Sequence, residues 1–227
     1  MKTIAALISI IVMWQGVSAQ NFYGGDWNGG PFLESGVGTG IEDARIYDNV
    51  LSPATDAVDY VFACYVLDGP VPSQLFFDFR HSVSAGDGGT AIATGVAEIT
   101  EAAATGRTSF GNIEWYFRAE VPRIILEGNV MHWFSIAPAN TNTGHYYSTT
   151  TEGQNGIGEP LGDGNSFYDS TTLGADFDPT DEWLGAGTWD FSQGYGNHVI
   201  PEPATVIALA FGAALLLLRR TGGPNEG

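Results

Sequence analysis

The sequence predicts an all-β body, an antiparallel β-sandwich or jelly roll, with an apolar segment at either end. Three observations carry that reading. Apolar and polar residues alternate with period two in several stretches, and turn-forming residues separate those stretches. Between residues 20 and 200 no apolar stripe of period 3.6 reaches helix length. Strands punctuated in this way, with no helices between them, bury their apolar faces against one another.

The chain opens on Met1-Lys2-Thr3, runs apolar through Ile11, Val12 and Met13, and reaches Val17-Ser18-Ala19 before Gln20. A basic start, a short apolar run and small side chains at the −3 and −1 positions predict a secretory signal peptide over residues 1–19. Signal peptidase has narrow pockets that Val17 and Ala19 fit, so cleavage is expected between Ala19 and Gln20.

Strands are then expected over residues 44–50 and 58–67. In the second, Cys64 shares a face with Tyr60, Phe62 and Val66, which marks the chain's single cysteine as a buried, inert thiol. One cysteine also excludes an internal disulfide. Leu75, Phe77, Phe79, His81 and Val83 form the next apolar face, opposite Asp78, Arg80 and Ser82. After a candidate strand over residues 91–100, Ile113, Trp115, Phe117, Ala119 and Val121 alternate with Glu114, Tyr116, Arg118 and Glu120. Val130, His132, Phe134 and Ile136 do the same with Met131, Trp133 and Ser135. Turns are marked by Asp68-Gly69-Pro70, Gly86-Asp87-Gly88-Gly89 and Glu127-Gly128-Asn129.

From residue 137 the alternation loosens. A polar run over 140–151 and a glycine-rich stretch over 153–165 read as loops. Two or three last strands are expected around Phe167, Tyr168, Trp183, Trp189 and Phe191, because disordered segments are poor in aromatic residues.

Residues 204–218 carry no charge and end on four leucines before Arg219 and Arg220. A membrane-crossing helix takes about 20 apolar residues, and the arginines would stay cytoplasmic. Pro201-Glu202-Pro203, an apolar helix and an Arg pair, in that order, resemble the PEP-CTERM sorting signal recognised by exosortase in Gram-negative bacteria. The resemblance covers residues 199–220; residues 221–227 add a polar tail longer than the family usually has. It implies that Pro201, Glu202 and Pro203 are the recognition motif and that Arg219 and Arg220 stop transfer. It further implies processing by an exosortase-type transpeptidase, residence at the cell surface or in the extracellular matrix, and an exopolysaccharide partner. Residues 20–198 are left as the exported body.

The formal net charge is −18, and residues 20–200 hold 24 Asp and Glu against five Arg, a net −19. So acidic a surface repels phosphate backbones, which excludes nucleic acid as a partner and leaves divalent cations or a cationic partner compatible. Asp176, Asp178, Asp181 and Glu182 are the densest carboxylate group and a candidate Ca²⁺ site, with Asp163, Asn165 and Asp169 as a weaker one. Tyr146, Tyr147, Trp183 and Trp189, near Asn and Asp residues, are candidates for stacking against a sugar.

Hydrolase signatures are missing: there is no Gly-x-Ser-x-Gly elbow and no His-Glu-x-x-His motif. His81 and His132 fall on apolar strand faces and read as core histidines, while His145 and His198 read as loop residues. No catalytic residue is singled out. Three function classes stay open: a non-enzymatic surface or matrix protein, a Ca²⁺-dependent carbohydrate-binding or adhesion module, and a secreted carbohydrate-active enzyme.

Overall fold

In the computed structural model, which describes residues 17–38, 43–139 and 144–199, the chain is mainly β. The strands are β1 Val17–Tyr23, β2 Phe32–Glu34, β3 Gly36–Val37, β4 Asp43–Leu51, β5 Asp56–Asp68, β6 Gln74–His81 and β7 Thr90–Ser109. There follow β8 Asn112–Leu126, β9 Met131–Ala139, β10 His145–Thr151, β11 Phe167–Ser170, β12 Ala175–Pro179, β13 Asp190–Phe191 and β14 Gln193–Val199. A helix, α1 Thr180–Leu184, lies between β12 and β13. Among the described residues no helix is long and apolar enough to cross a membrane. The apolar stretch 204–218 lies outside the described residues.

The strands form one mixed sheet in the order β1-β14-β5-β8-β7-β6-β9-β3-β4-β11-β12, with β10 attached to β5 and carrying β2 and β13. Val37 of β3 pairs in parallel with Ala139 of β9, so the pairing is not antiparallel throughout. The hinge of the sheet is β7. Its first part, from Thr90 to Glu98, pairs with β6, and its second part, from Ile99 to Ser109, pairs with β8. Register shifts at Ile99/Glu101 and Ala104/Thr108 lie in the second part, and such bulges bend a strand and sharpen its twist.

That bend brings two groups of strands onto one core. Val61, Ala63 and Tyr65 of β5, with Phe117 and Ala119 of β8, pack in the same cluster as Leu75, Phe77 and Phe79 of β6 and Phe134 and Ile136 of β9. Phe22 and Tyr195 close it, with Phe134 edge-on to both rings. Burying each such side chain stabilises the fold by about 1.5–3 kcal/mol. On β6, Leu75, Phe77 and Phe79 are buried in this core as expected, while Val83 lies past the strand in a separate cluster with Tyr47 and Phe177, and Asp78 of the opposite face is buried as well. Cys64 is buried as expected, on the other face of β5, and burial followed by the nearby Glu114 carboxylate pushes its thiol up to about 12. Such a thiol is not a nucleophile at neutral pH.

Two expectations are corrected. Ile113 is 45% exposed and its neighbour Glu114 is 0% exposed, so the start of β8 does not bury the face its sequence suggests. Phe117, Ala119 and Val121 do bury that face, and Trp115 packs against the core. Second, the polar run taken for a loop contains β10, in which Ser148, Thr149, Thr150 and Thr151 are all buried. Hydroxyl bonds make this possible: Thr149 Oγ1 donates to Glu114, Thr150 Oγ1 to the Pro31 carbonyl, and Thr151 Oγ1 accepts from the Gly153 N–H.

Residues 20–197 form one compact unit.

Candidate ligand-binding groove

Tyr147 of β10 stands opposite Val66 of β5 on one side and Glu34 of β2 on the other. Val66 in turn stands opposite Glu114 of β8. Directly paired residues share a sheet face, so Glu114, Val66, Tyr147 and Glu34 make one row across four strands. Above this row lies a groove of about 300 Å³ lined by Phe32, Val66, Asp68, Ser109, Phe110, Asn112 and Tyr147. Rings of Phe32 and Tyr147 lie 5.0 Å apart, and His145 stacks on Tyr147 while bonding to Glu34.

The hairpin between β7 and β8 supplies the outer wall. Ser109 pairs with Asn112, leaving Phe110 and Gly111 as a two-residue turn with φ of 49° and 84°. Two positive φ values define a type I′ turn, which favours Asn-Gly or Gly-Gly. Glycine meets that requirement at Gly111, whereas a phenylalanine in the left-handed region costs about 1–3 kcal/mol. Phe110 is also 90% exposed. Neither backbone preference nor burial explains an aromatic side chain there.

At the Glu114 end of the row, on the same sheet face, sits a buried charge network. Glu114 accepts hydrogen bonds from Arg107 Nε at 2.5 Å, Thr105 Oγ1 at 2.6 Å and Thr149 Oγ1 at 3.0 Å. Arg107 extends to Asp26 at 3.4 Å, which also accepts from the Tyr23 hydroxyl at 2.8 Å and from Asn155 at 2.9 Å. Burial raises the Asp26 carboxyl, but the bonds from Asn155, Tyr23 and Arg107 outweigh it and hold the group below its ordinary value. Tyr23 is pushed upward by burial first, so its phenol stays a donor. The network ties together the strands that carry the groove.

Of the four aromatic residues singled out from the sequence, Tyr147 alone lines this groove. Tyr146 points the other way into the core, with its hydroxyl on the Pro70 carbonyl at 2.8 Å, and so is not a stacking platform. Trp183 is 37% exposed, packs edge-on against Tyr168 and donates to Asp178 at 3.3 Å. Trp189 donates to the Gly185 carbonyl. His145 belongs to β10 and His198 to β14 rather than to loops.

The carboxylates proposed for Ca²⁺ are distributed over two elements. Asp176 and Asp178 lie on β12, Asp181 and Glu182 on α1, and one oxygen of Asp178 is engaged by Trp183. Asp163 accepts from Asn49 and Asp169 pairs with Arg45, so the weaker group is divided between separate partners. Among the described residues no three His, Cys, Asp or Glu side chains are grouped to hold a metal ion. Ala19 and Gln20 lie within β1, while Pro201, Glu202, Pro203, Arg219 and Arg220 lie outside the described residues. No family model matches the chain, and neither a curated protein nor a solved structure matches it.

Proposed function

We propose that the chain is an exported, non-enzymatic surface or extracellular-matrix protein whose β body holds a neutral carbohydrate in the groove of Phe32, Phe110 and Tyr147. The observation that carries this reading is Phe110, an exposed aromatic ring at a turn position that disfavours it. A pyranose presents a flat C–H face that stacks on such rings, and Asp68 and Asn112 at the rim supply hydrogen-bonding groups for its hydroxyls. Asp68 and the adjacent Glu34, on a chain of net charge −18, oppose an acidic polysaccharide, which favours a neutral one.

The finer architecture is a β-sandwich, antiparallel apart from the β3–β9 pair and closed through β7, a reading supported by the shared core of β5, β8, β6 and β9. Export and sorting rest on the two chain ends. Removal of residues 1–19 would leave Gln20 at the head of the compact unit. Exosortase would then recognise Pro201-Glu202-Pro203 and release the body from the apolar segment. A screen of the full chain against immobilised neutral and acidic glycans tests the binding role: retention on neutral glycans supports it, and retention on none contradicts it.

A further inference from the structure

On the core-side face of β6 and β9, at the end of both strands, His81 and His132 stand directly opposite each other. Side chains so paired have Cβ atoms about 4.5–5.5 Å apart, close enough for two imidazoles to reach one ion. Both line a pocket of about 320 Å³ together with Ile92, Ile125, Glu127 and Val130. His132 is only 2% exposed, and its two ring nitrogens differ. Nε2 lies 3.1 Å from the Glu127 carbonyl oxygen, which can only accept, so Nε2 carries the proton. In the neutral ring Nδ1 is then the unprotonated nitrogen, and it is buried with no hydrogen-bond partner. Across the pair, His81 Nδ1 is bonded to Ser82 Oγ at 3.1 Å, so Nε2 is the nitrogen not used in that bond.

An imidazole whose one nitrogen donates to a backbone carbonyl while the other is bare and buried has the arrangement of a metal-ligating histidine. We propose that His132 Nδ1 and His81 Nε2 bind a divalent transition-metal ion, with water from the pocket completing its coordination. Glu127, on the pocket wall, adds negative charge that favours the cation. Two nitrogen donors suit Cu²⁺, Ni²⁺ or Zn²⁺ rather than Ca²⁺, which takes oxygen ligands. The site is separate from the aromatic groove and shares none of its lining residues.

Cu²⁺ is the probe, because it binds such ligands most tightly of the series and its electron paramagnetic resonance spectrum counts nitrogen donors. The full chain, purified without a histidine tag, should take up one equivalent with couplings to two imidazole nitrogens. His81→Gln, at a half-buried position, should lose one of the two couplings and weaken binding at least about tenfold. His132→Gln should do the same, while His145→Gln and His198→Gln should change neither. Oxygen-only coordination, or two couplings that survive in His81→Gln, would overturn the assignment.

Discussion

Phe110 meets Phe32 edge to face, with ring centroids 5.9 Å apart and ring planes at 82°. A contact of this kind contributes about 0.5–1.5 kcal/mol. Set against about 1–3 kcal/mol for holding Phe110 at positive φ, it leaves a balance that is near zero or unfavourable. The turn is therefore no more stable with phenylalanine than with the residue a type I′ turn prefers. Phe110→Asn is expected to leave stability unchanged or raise it by up to about 1 kcal/mol. Urea denaturation decides this; a loss above about 2 kcal/mol would make Phe110 a structural residue.

Arg107→Ala leaves the Glu114 carboxylate buried without its cation. Breaking a fully buried pair costs about 3–5 kcal/mol. Arg107 is about a third exposed, so solvent screens part of the loss and a cost of at least about 2 kcal/mol is expected. Adding Glu114→Gln should recover a measurable part by removing the stranded charge. A double variant no more stable than Arg107→Ala would mean that the pair is not coupled.

Much of the fold is written in local alternation, and much of the groove is not. Leu75, Phe77 and Phe79 are buried as their spacing suggests, whereas Asp78 on the opposite face is buried where Tyr47 and Arg80 bond to it. Glu114 breaks its own pattern because Arg107, Thr105 and Thr149 satisfy it from two other strands, a pairing that no local spacing reveals. Strand β10 is hidden for the same reason, since threonine reads as buried only once its hydroxyl partner is known. The groove gathers Phe32, Asp68, Phe110 and Tyr147 from four separate elements or turns. One signal was present in the sequence: Phe110 before Gly111, at a position where a two-residue hairpin turn prefers Asn or Gly.

Acid should stabilise the protein over a defined window. Burial holds the Asp48 carboxyl well above its usual range, with the Asp190 carboxylate adding to it, and burial pushes Asp190 up to about 6. In the unfolded chain both titrate near ~3.9. The native state thus binds these protons more tightly, so both contributions are full below about pH 4; that of Asp190 is lost as pH rises through about 6, and that of Asp48 is lost as pH rises through its own raised range. Melting temperature should climb as pH falls from about 7 to about 5, and Asp48→Asn should flatten the climb. A melting temperature that falls over that interval would contradict the assignment.

Processing has its own signature. In a host with exosortase, mass spectrometry of the mature protein should find neither residues 1–19 nor residues 204–218. Moving each arginine into the bilayer centre costs about 2.5–3.5 kcal/mol or more, so Arg219 and Arg220 should hold the Pro201-Glu202-Pro203 motif at the outer face until it is cut. Glu202→Ala should leave export intact and accumulate an uncut, membrane-bound form. A mature chain ending at Gly227 in that host would show the segment to be a permanent anchor.

The groove is tested most directly by measuring neutral-glycan affinity and folding stability on the same variants. Phe110→Asn and Tyr147→Ala should each weaken binding at least about tenfold, the equivalent of about 1.4 kcal/mol. Phe110→Asn should meanwhile lose no stability, which separates a ligand contact from a structural one. Affinity unchanged in both variants would contradict the account, because the rings that define the groove would then contribute nothing to recognition.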